Sequence, residues 1–183
     1  MSNLNAWNKW YASVASDAPP FLYGDETTYL LAASFLQDCK TVEDWGCGLG
    51  GFRLYRQEGY LGIDGTTSPF ADIVEDLRLR KSSPEGILLR HVIEHDRAWK
   101  EILDAALVSA TKKLALVLFT PSSAETKVIA ENAIHGVDVP DISFAARDLE
   151  ERFELAGFRY ALSGNMTTAT GYGTERIYYG VRS

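Results

Sequence analysis

The chain has 183 residues, 46% of them hydrophobic and 23% charged, a composition that excludes a disordered or fibrous protein and fits one globular domain over residues 1–183. A formal net charge of −7 disfavours nucleic acid as a partner, although Arg78, Arg80 and Lys81 form a small basic group. No apolar run approaches the roughly 20 residues that span a bilayer, Met1 to Trp10 lacks the pattern of a signal peptide, and two cysteines make no disulfide framework, so no membrane insertion and a reducing cytoplasmic location are expected.

In chain order, Trp7, Trp10, Tyr11 and Val14 stand at i, i+3, i+4 and i+7, which predicts a helix from Asn5 to Val14, closed off by Ala18-Pro19-Pro20. Thr27 or Thr28 caps a second helix to about Cys39, with Leu30, Leu31, Ala33 and Phe35 on its apolar face. A strand at Thr41 to Trp45 then runs into Gly46-Cys47-Gly48-Leu49-Gly50-Gly51, with a helix to about Glu58 after it. Further strands are expected at Tyr60 to Ile63, Ala71 to Val74, Gly86 to Leu89 and Leu114 to Thr120, with a helix from Arg90 to Ala110 between the last two. Ser123 to Asn132 reads as helical, and Phe144 to Ala156 as a helix ended by Gly157. Phe158 to Ser163 and Arg176 to Val181 close the chain as strands with no helix between them, so they must pair antiparallel. The pattern predicts an α/β fold: a Rossmann-like seven-stranded mixed sheet, mostly parallel, with an antiparallel C-terminal strand and helices on both faces.

Four glycines in six positions require tight turning and leave room for something to approach the backbone closely. A strand feeding such a loop is a nucleotide-type crevice. Asp44-Trp45-Gly46-Cys47-Gly48-Leu49-Gly50, with acids closing the next two strands at Leu61-Gly62-Ile63-Asp64 and Val74-Glu75-Asp76-Leu77, resembles a class I S-adenosylmethionine-dependent methyltransferase. Phe119-Thr120-Pro121 and the run Asp148 to Arg159 fit the same family, so the resemblance spans about Asp25 to the C-terminus.

The resemblance implies that S-adenosylmethionine is the cofactor and that Asp44, Gly46, Cys47, Gly48, Gly50, Asp64, Gly65, Asp76, Leu77 and Arg90 form its site. In this picture bare glycine backbone carries the methionyl and ribose parts, Asp64 accepts the ribose hydroxyls, and Asp76 and Leu77 meet the adenine. Asp44 organises the loop and meets the ammonium group, and residues 1–40 form a helical segment over the site. Gly46-x-Gly48-x-x-Gly51 with Asp64 downstream also satisfies a dinucleotide fingerprint, so a nicotinamide-dependent oxidoreductase stays an alternative. A non-catalytic S-adenosylmethionine-binding module is another.

The acceptor is read from the fourth-strand region. An Asn/Asp-Pro-Pro-aromatic motif and a Pro-Cys nucleophile are both absent there. His91-Val92-Ile93-Glu94-His95 stands instead, and its Ile-Glu-His part is similar to ubiquinone-pathway O-methyltransferases. A helix starting near His91 would put His91, Glu94 and His95 on one face. With His135 they are the candidate ligands of a divalent metal ion, and His91, His95 and His135 the candidate catalytic residues. The expected reaction is O-methylation of a hydroxyl-bearing acceptor: a glycan, a sugar or a small metabolite.

Overall fold

The structure, a computed structural model, describes residues 4–15, 17–134 and 137–183. Five parallel strands form its centre: β1 (Val42–Trp45), β2 (Tyr60–Asp64), β3 (Ile73–Val74), β4 (Gly86–Arg90) and β5 (Lys113–Leu118). Two further strands, β6 (Lys127–Ile134) and β7 (Val137–Ser143), make a separate antiparallel hairpin. The main sheet is completed by β8 (Phe158–Leu162), β9 (Met166–Thr167) and β10 (Thr174–Arg182). Its order is β3-β2-β1-β4-β5-β10-β8, and β9 pairs with β10, so the sheet has eight strands instead of the expected seven. As expected, the C-terminal strand is antiparallel: β10 inserts between β5 and β8 and runs against both.

The strands are buried on both faces, which explains their near-continuous apolar runs. Alternate residues split between two cores. Ile87, Leu89, Leu114, Leu116 and Leu118 face the helices α3 (Trp99–Ser109) and α4 (Ala146–Leu155), where Leu103, Ala106 and Phe153 meet them. Leu88, Ala115, Val117 and Ile177 face α2 (Thr27–Phe35) through Tyr29, Ala32 and Leu36. No described helix is long and apolar enough to cross a membrane.

Four expected elements differ. The helix expected after the glycine loop is a single 3-10 turn, Gly51–Leu54, because only five residues separate it from β2. Ser123 to Asn132 is not helical: Ala and Glu in this stretch favour a helix, but pairing with β7 holds Lys127–Ile134 extended. Pro140 is tolerated because both strands of a two-stranded sheet are edges. The helix expected from Arg90 begins only at Trp99, since β4 continues to Arg90 and a 3-10 turn, Ile93–His95, follows. The first helix, α1 (Leu4–Tyr11), is shorter than expected and ends well before the prolines.

Chain order reverses between β1 and β4, which lie side by side while β2 and β3 extend one way and β5 the other. In open α/β sheets the crevice at the carboxyl ends of such strands is where ligands sit. Here it opens on a cavity of about 520 Å³.

Candidate functional site

β1 delivers Asp44 and then breaks at Gly46. The Gly46 and Cys47 N–H groups both donate to the Ile63 carbonyl, at 2.8 and 3.0 Å, which ties the loop to the end of β2. Gly46 has φ +76°, and a Cβ there would lie 2.4 Å from Val92 Cγ2, so the β1 exit and the β4 exit touch across the switch point. Gly48, at φ +54°, donates its N–H to Asp64 Oδ2 at 3.0 Å. Gly50 backs onto the Phe70 ring instead of lining the cavity, which Gly51 reaches in its place. The Cys47 thiol is buried against the Phe70 carbonyl, and burial pushes its pKa up, so it is no nucleophile.

Two buried carboxyls face the same cavity. Asp44 accepts the Tyr60 hydroxyl at 3.0 Å, yet burial, reinforced by the Asp64 charge, pushes it up to about 7. Asp64 takes the Thr66 N–H (3.0 Å) and hydroxyl (2.7 Å) on Oδ1, and burial raises it as well. Neither makes an ion pair among the described residues. Asp76 is different: Arg78 hydrogen-bonds it through its backbone N–H and Nε, at 3.0 and 2.8 Å, and holds it below the usual carboxylate range. Leu77 is buried beside it and Gly65 adjoins Leu4; Asp76, Leu77 and Gly65 line the cavity.

Arg90 lies at the cavity, but its donors are engaged. Nε bonds Thr28 Oγ1 (3.1 Å), Nη1 the Tyr29 hydroxyl (2.9 Å), and Nη2 both the Tyr23 carbonyl (2.6 Å) and Glu175 Oε1 (2.8 Å). The arginine thus braces α2 against β10.

The one described non-glycine residue at positive φ is His91, at +56°. This flip ends β4 and abolishes the expected helical alignment of His91, Glu94 and His95. His91 Nε2 lies 2.6 Å from Glu175 Oε1; burial and the Arg90 charge lower its pKa to about 4. Glu94 turns inward. Its Oε1 accepts the Phe119 N–H at 2.8 Å, its Oε2 has no hydrogen-bond partner, and burial raises it to about 7. Among the described residues no group of three or more His, Cys, Asp or Glu is arranged to hold a metal ion, and His91, Glu94 and His95 are not brought together on one face. His135 lies outside the described residues.

His95 remains at the cavity in a setting that chemistry can use. Its Nδ1 is 3.2 Å from the Pro140 carbonyl and 3.2 Å from Asp141 Oδ1. Asp141 Oδ2 accepts Asn132 Nδ2 at 2.6 Å and the Tyr172 hydroxyl at 2.8 Å. Burial works against ionisation of Asp141, but His95 and the bonds from Tyr172 and Asn132 prevail and hold its pKa down. The Nδ1 hydrogen bond runs to the Pro140 carbonyl, and Asp141 Oδ1, which has no hydrogen-bond partner of its own, lies beside the ring, where a carboxylate would favour an imidazolium. Asp141, Asn132 and Glu175 were not legible as site residues, since each reaches the site through strand pairing, whereas Tyr172 stands in the Gly164 to Thr174 loop that the sequence offers as an acceptor contact. The one local signal was the alternation Val137-Asp138-Val139.

Over this lies α1. Trp7 stands 5.6 Å from the His95 ring, and the Asn8 side chain accepts the Thr67 N–H at 3.0 Å. A Cβ on Gly48 would meet the Tyr11 hydroxyl at 3.2 Å. The N-terminal aromatics therefore both pack as a helix and roof the cavity.

No protein-family model and no curated protein matches the chain. Solved structures do. Magnesium protoporphyrin IX methyltransferase from Synechocystis PCC 6803, with S-adenosylmethionine bound, aligns with a TM-score of 0.67 over 100% of this chain and 98% of that one, at 16% identity. The 1,6-didemethyltoxoflavin-N1-methyltransferase of Burkholderia thailandensis, with S-adenosylhomocysteine, gives 0.65 over 87% and 80%, at 17% identity. The glycopeptide N-methyltransferase MtfA, also with S-adenosylhomocysteine, gives 0.63 over 96% of each chain, at 12% identity. The chain has the class I S-adenosylmethionine-dependent methyltransferase fold.

Proposed function

We propose that a protein built on this fold, with this cavity, is an S-adenosylmethionine-dependent methyltransferase acting on a hydroxyl group of a sugar, a glycan or a small metabolite. The observation that carries this is the pair of buried carboxyls, Asp44 and Asp64, without ion-pair partners and beside bare glycine backbone. Such a pair fits a ligand that brings positive charge. Gly46 and Gly48 would hold its methionyl and ribose parts and Asp44 its ammonium group. Asp64, at the end of β2 and held in place by Gly48 and Thr66, would meet the ribose hydroxyls. Asp76, Leu77 and Gly65 would take the adenosine end; Arg90 and Gly50 support the site from behind.

Bound there, the cofactor supplies an electrophilic methyl group on a positively charged sulfur. His95 is the candidate base for the acceptor proton; the Pro140 carbonyl orients its ring, and the Asp141 carboxylate 3.2 Å away would stabilise the imidazolium that forms. A base so placed contributes about 10²- to 10⁴-fold. The roof of α1 excludes water from the reacting groups. Similar folds carry names as different as a porphyrin, a toxoflavin precursor and a glycopeptide methyltransferase, so the acceptor is read from this chain's own residues. The buried, unpaired cysteines fit a reducing cytoplasm.

The test is thermal. S-adenosylhomocysteine at about 100 times its Kd should stabilise the protein by about 2.7 kcal/mol and raise Tm by about 5–10 °C, while NAD changes nothing. Stabilisation by NAD alone would select the oxidoreductase alternative. A protein that binds but never releases S-adenosylhomocysteine from S-adenosylmethionine with any hydroxyl acceptor is only a binding module.

A further inference from the structure

We propose that the carboxylate of the cofactor's methionyl arm is held by tyrosine hydroxyls, those of Tyr29 and of the Tyr11–Tyr23 pair, and not by an arginine. This rests on reading the cavity as an S-adenosylmethionine site.

A ligand with both an ammonium and a carboxylate group needs donors as well as acceptors. Asp44 serves the ammonium, but the cations of the cavity are committed. Arg78 and Arg90, the arginines among the described lining residues, are ion-paired to Asp76 and Glu175, and no described lining residue is a lysine. Arg90 has also given its donors to Thr28, Tyr29 and the Tyr23 carbonyl. The Thr66 hydroxyl is spent on Asp64. A carboxylate buried there without donors would be strongly disfavoured.

The glycine-loop end of the cavity offers hydroxyls instead. Tyr11 of α1, Tyr23 of the segment after it and Tyr29 of α2 all line it. The Tyr23 segment runs alongside the loop, with the Phe21 N–H donating to the Leu49 carbonyl at 3.0 Å. A Cβ on Gly48 would lie 3.2 Å from the Tyr11 hydroxyl and 3.5 Å from Tyr23 Cε2, and one on Gly51 would lie 2.7 Å from the Tyr29 hydroxyl. Bare backbone at both places leaves these phenols room beside the loop.

Their hydrogen bonds leave donors over. The Tyr29 oxygen accepts Arg90 Nη1 at 2.9 Å and the Tyr23 N–H at 3.3 Å, which fills both of its lone pairs. Its own hydrogen has no acceptor among the described residues. A hydroxyl bonded to a guanidinium is a strengthened donor, so the Arg90 charge reaches the ligand through Tyr29. The Tyr11 and Tyr23 hydroxyls bond each other, which uses one of their two hydrogens and leaves the second. Burial raises all three phenols, so each stays protonated. Two vacant O–H donors beside the glycine loop match the two oxygens of one carboxylate.

The experiment is calorimetry on the whole protein with two ligands, S-adenosylhomocysteine and its decarboxylated analogue, which keeps the adenosine, the sulfur and the ammonium group. The unaltered protein should bind S-adenosylhomocysteine about tenfold or more tightly than the analogue. Tyr29→Phe keeps the ring stacked on Tyr55 and against Arg90 and removes only the hydroxyl. It should weaken S-adenosylhomocysteine by about 10- to 100-fold and the analogue by less than about twofold. Tyr23→Phe should act in the same sense, by about tenfold. Equal losses for the two ligands would make the hydroxyls structural, and no loss, or an analogue that binds as tightly as S-adenosylhomocysteine, would equally overturn the assignment. If Tyr29→Phe does not fold, Tyr23→Phe and the ligand ranking in the unaltered protein decide. The unaltered protein also separates the two levels: failure to bind S-adenosylhomocysteine removes the methyltransferase reading, while binding that is indifferent to the carboxylate removes only the tyrosine assignment.

Discussion

Asp141 is the residue on which the proposed chemistry turns. It joins His95 from the 3-10 turn, Asn132 from β6 and Tyr172 from the β9–β10 loop. Asp141→Asn keeps the shape and removes the charge that supports an imidazolium. Methyl transfer should fall about 100-fold with S-adenosylhomocysteine affinity held within about twofold, as measured by turnover and calorimetry. An equal loss in both would make Asp141 a structural residue instead. At this scale the glycine-loop side of the cavity was legible and the His95 side was not. Gly46 and Gly48 announce themselves because only glycine suits their backbone angles and close neighbours. Asp44 and Asp64 announce themselves by ending strands. Asp141 has no local mark, since its partners are 9 to 46 positions away along the chain.

The element that most changed the picture is the turn Ile93–His95. Glu94 at its centre caps the buried Phe119 N–H at the end of β5, and this bond decides where His95 goes. Glu94→Ala should leave that N–H unpaired and cost about 1–3 kcal/mol, while Glu94→Gln keeps an acceptor and should lie close to the unaltered protein. Thermal melts of the two variants check this; equal losses would mean the Phe119 bond is not what holds the turn. The helix expected from His91 fails here because two long-range contacts, His91 to Glu175 and Glu94 to Phe119, outweigh helix propensity. The β6–β7 hairpin was missed for the same reason in reverse. The Ala and Glu of β6 suit a helix, and pairing with β7 makes it extended.

Across the whole molecule, several buried groups titrate far from their usual range, which makes stability depend on pH in a definite direction. Asp44, raised to about 7, holds a proton in the folded state that the unfolded chain has lost above about pH 4. Its effect on folding is therefore neutral at low pH and increasingly unfavourable from about pH 4 to pH 7. Glu94 acts in the same sense. His91, lowered to about 4, acts oppositely: unfolding gains a proton as pH falls below about 6.5, so that region is destabilised. Asp44→Asn should thus raise Tm over the unaltered apo protein by a margin that grows from pH 5 to pH 7, and it should weaken S-adenosylhomocysteine binding. A constant margin across that range would show that Asp44 does not carry the shift. The buried Arg90–Glu175 pair belongs to this scale too, because it links α2, β4 and β10 around the site.

The sequence by itself determined the α/β class, the strand-end acids, the antiparallel closing strands and the glycine loop. All of these follow from periodicity, backbone angles and spacing within about 20 residues of chain. Tertiary structure alone decided that His91 pairs with Glu175, that Glu94 faces inward, and that His95 meets Asp141 under Trp7. Those outcomes depend on which strand lies beside which and on where buried polar groups find partners, and neither is encoded in local pattern.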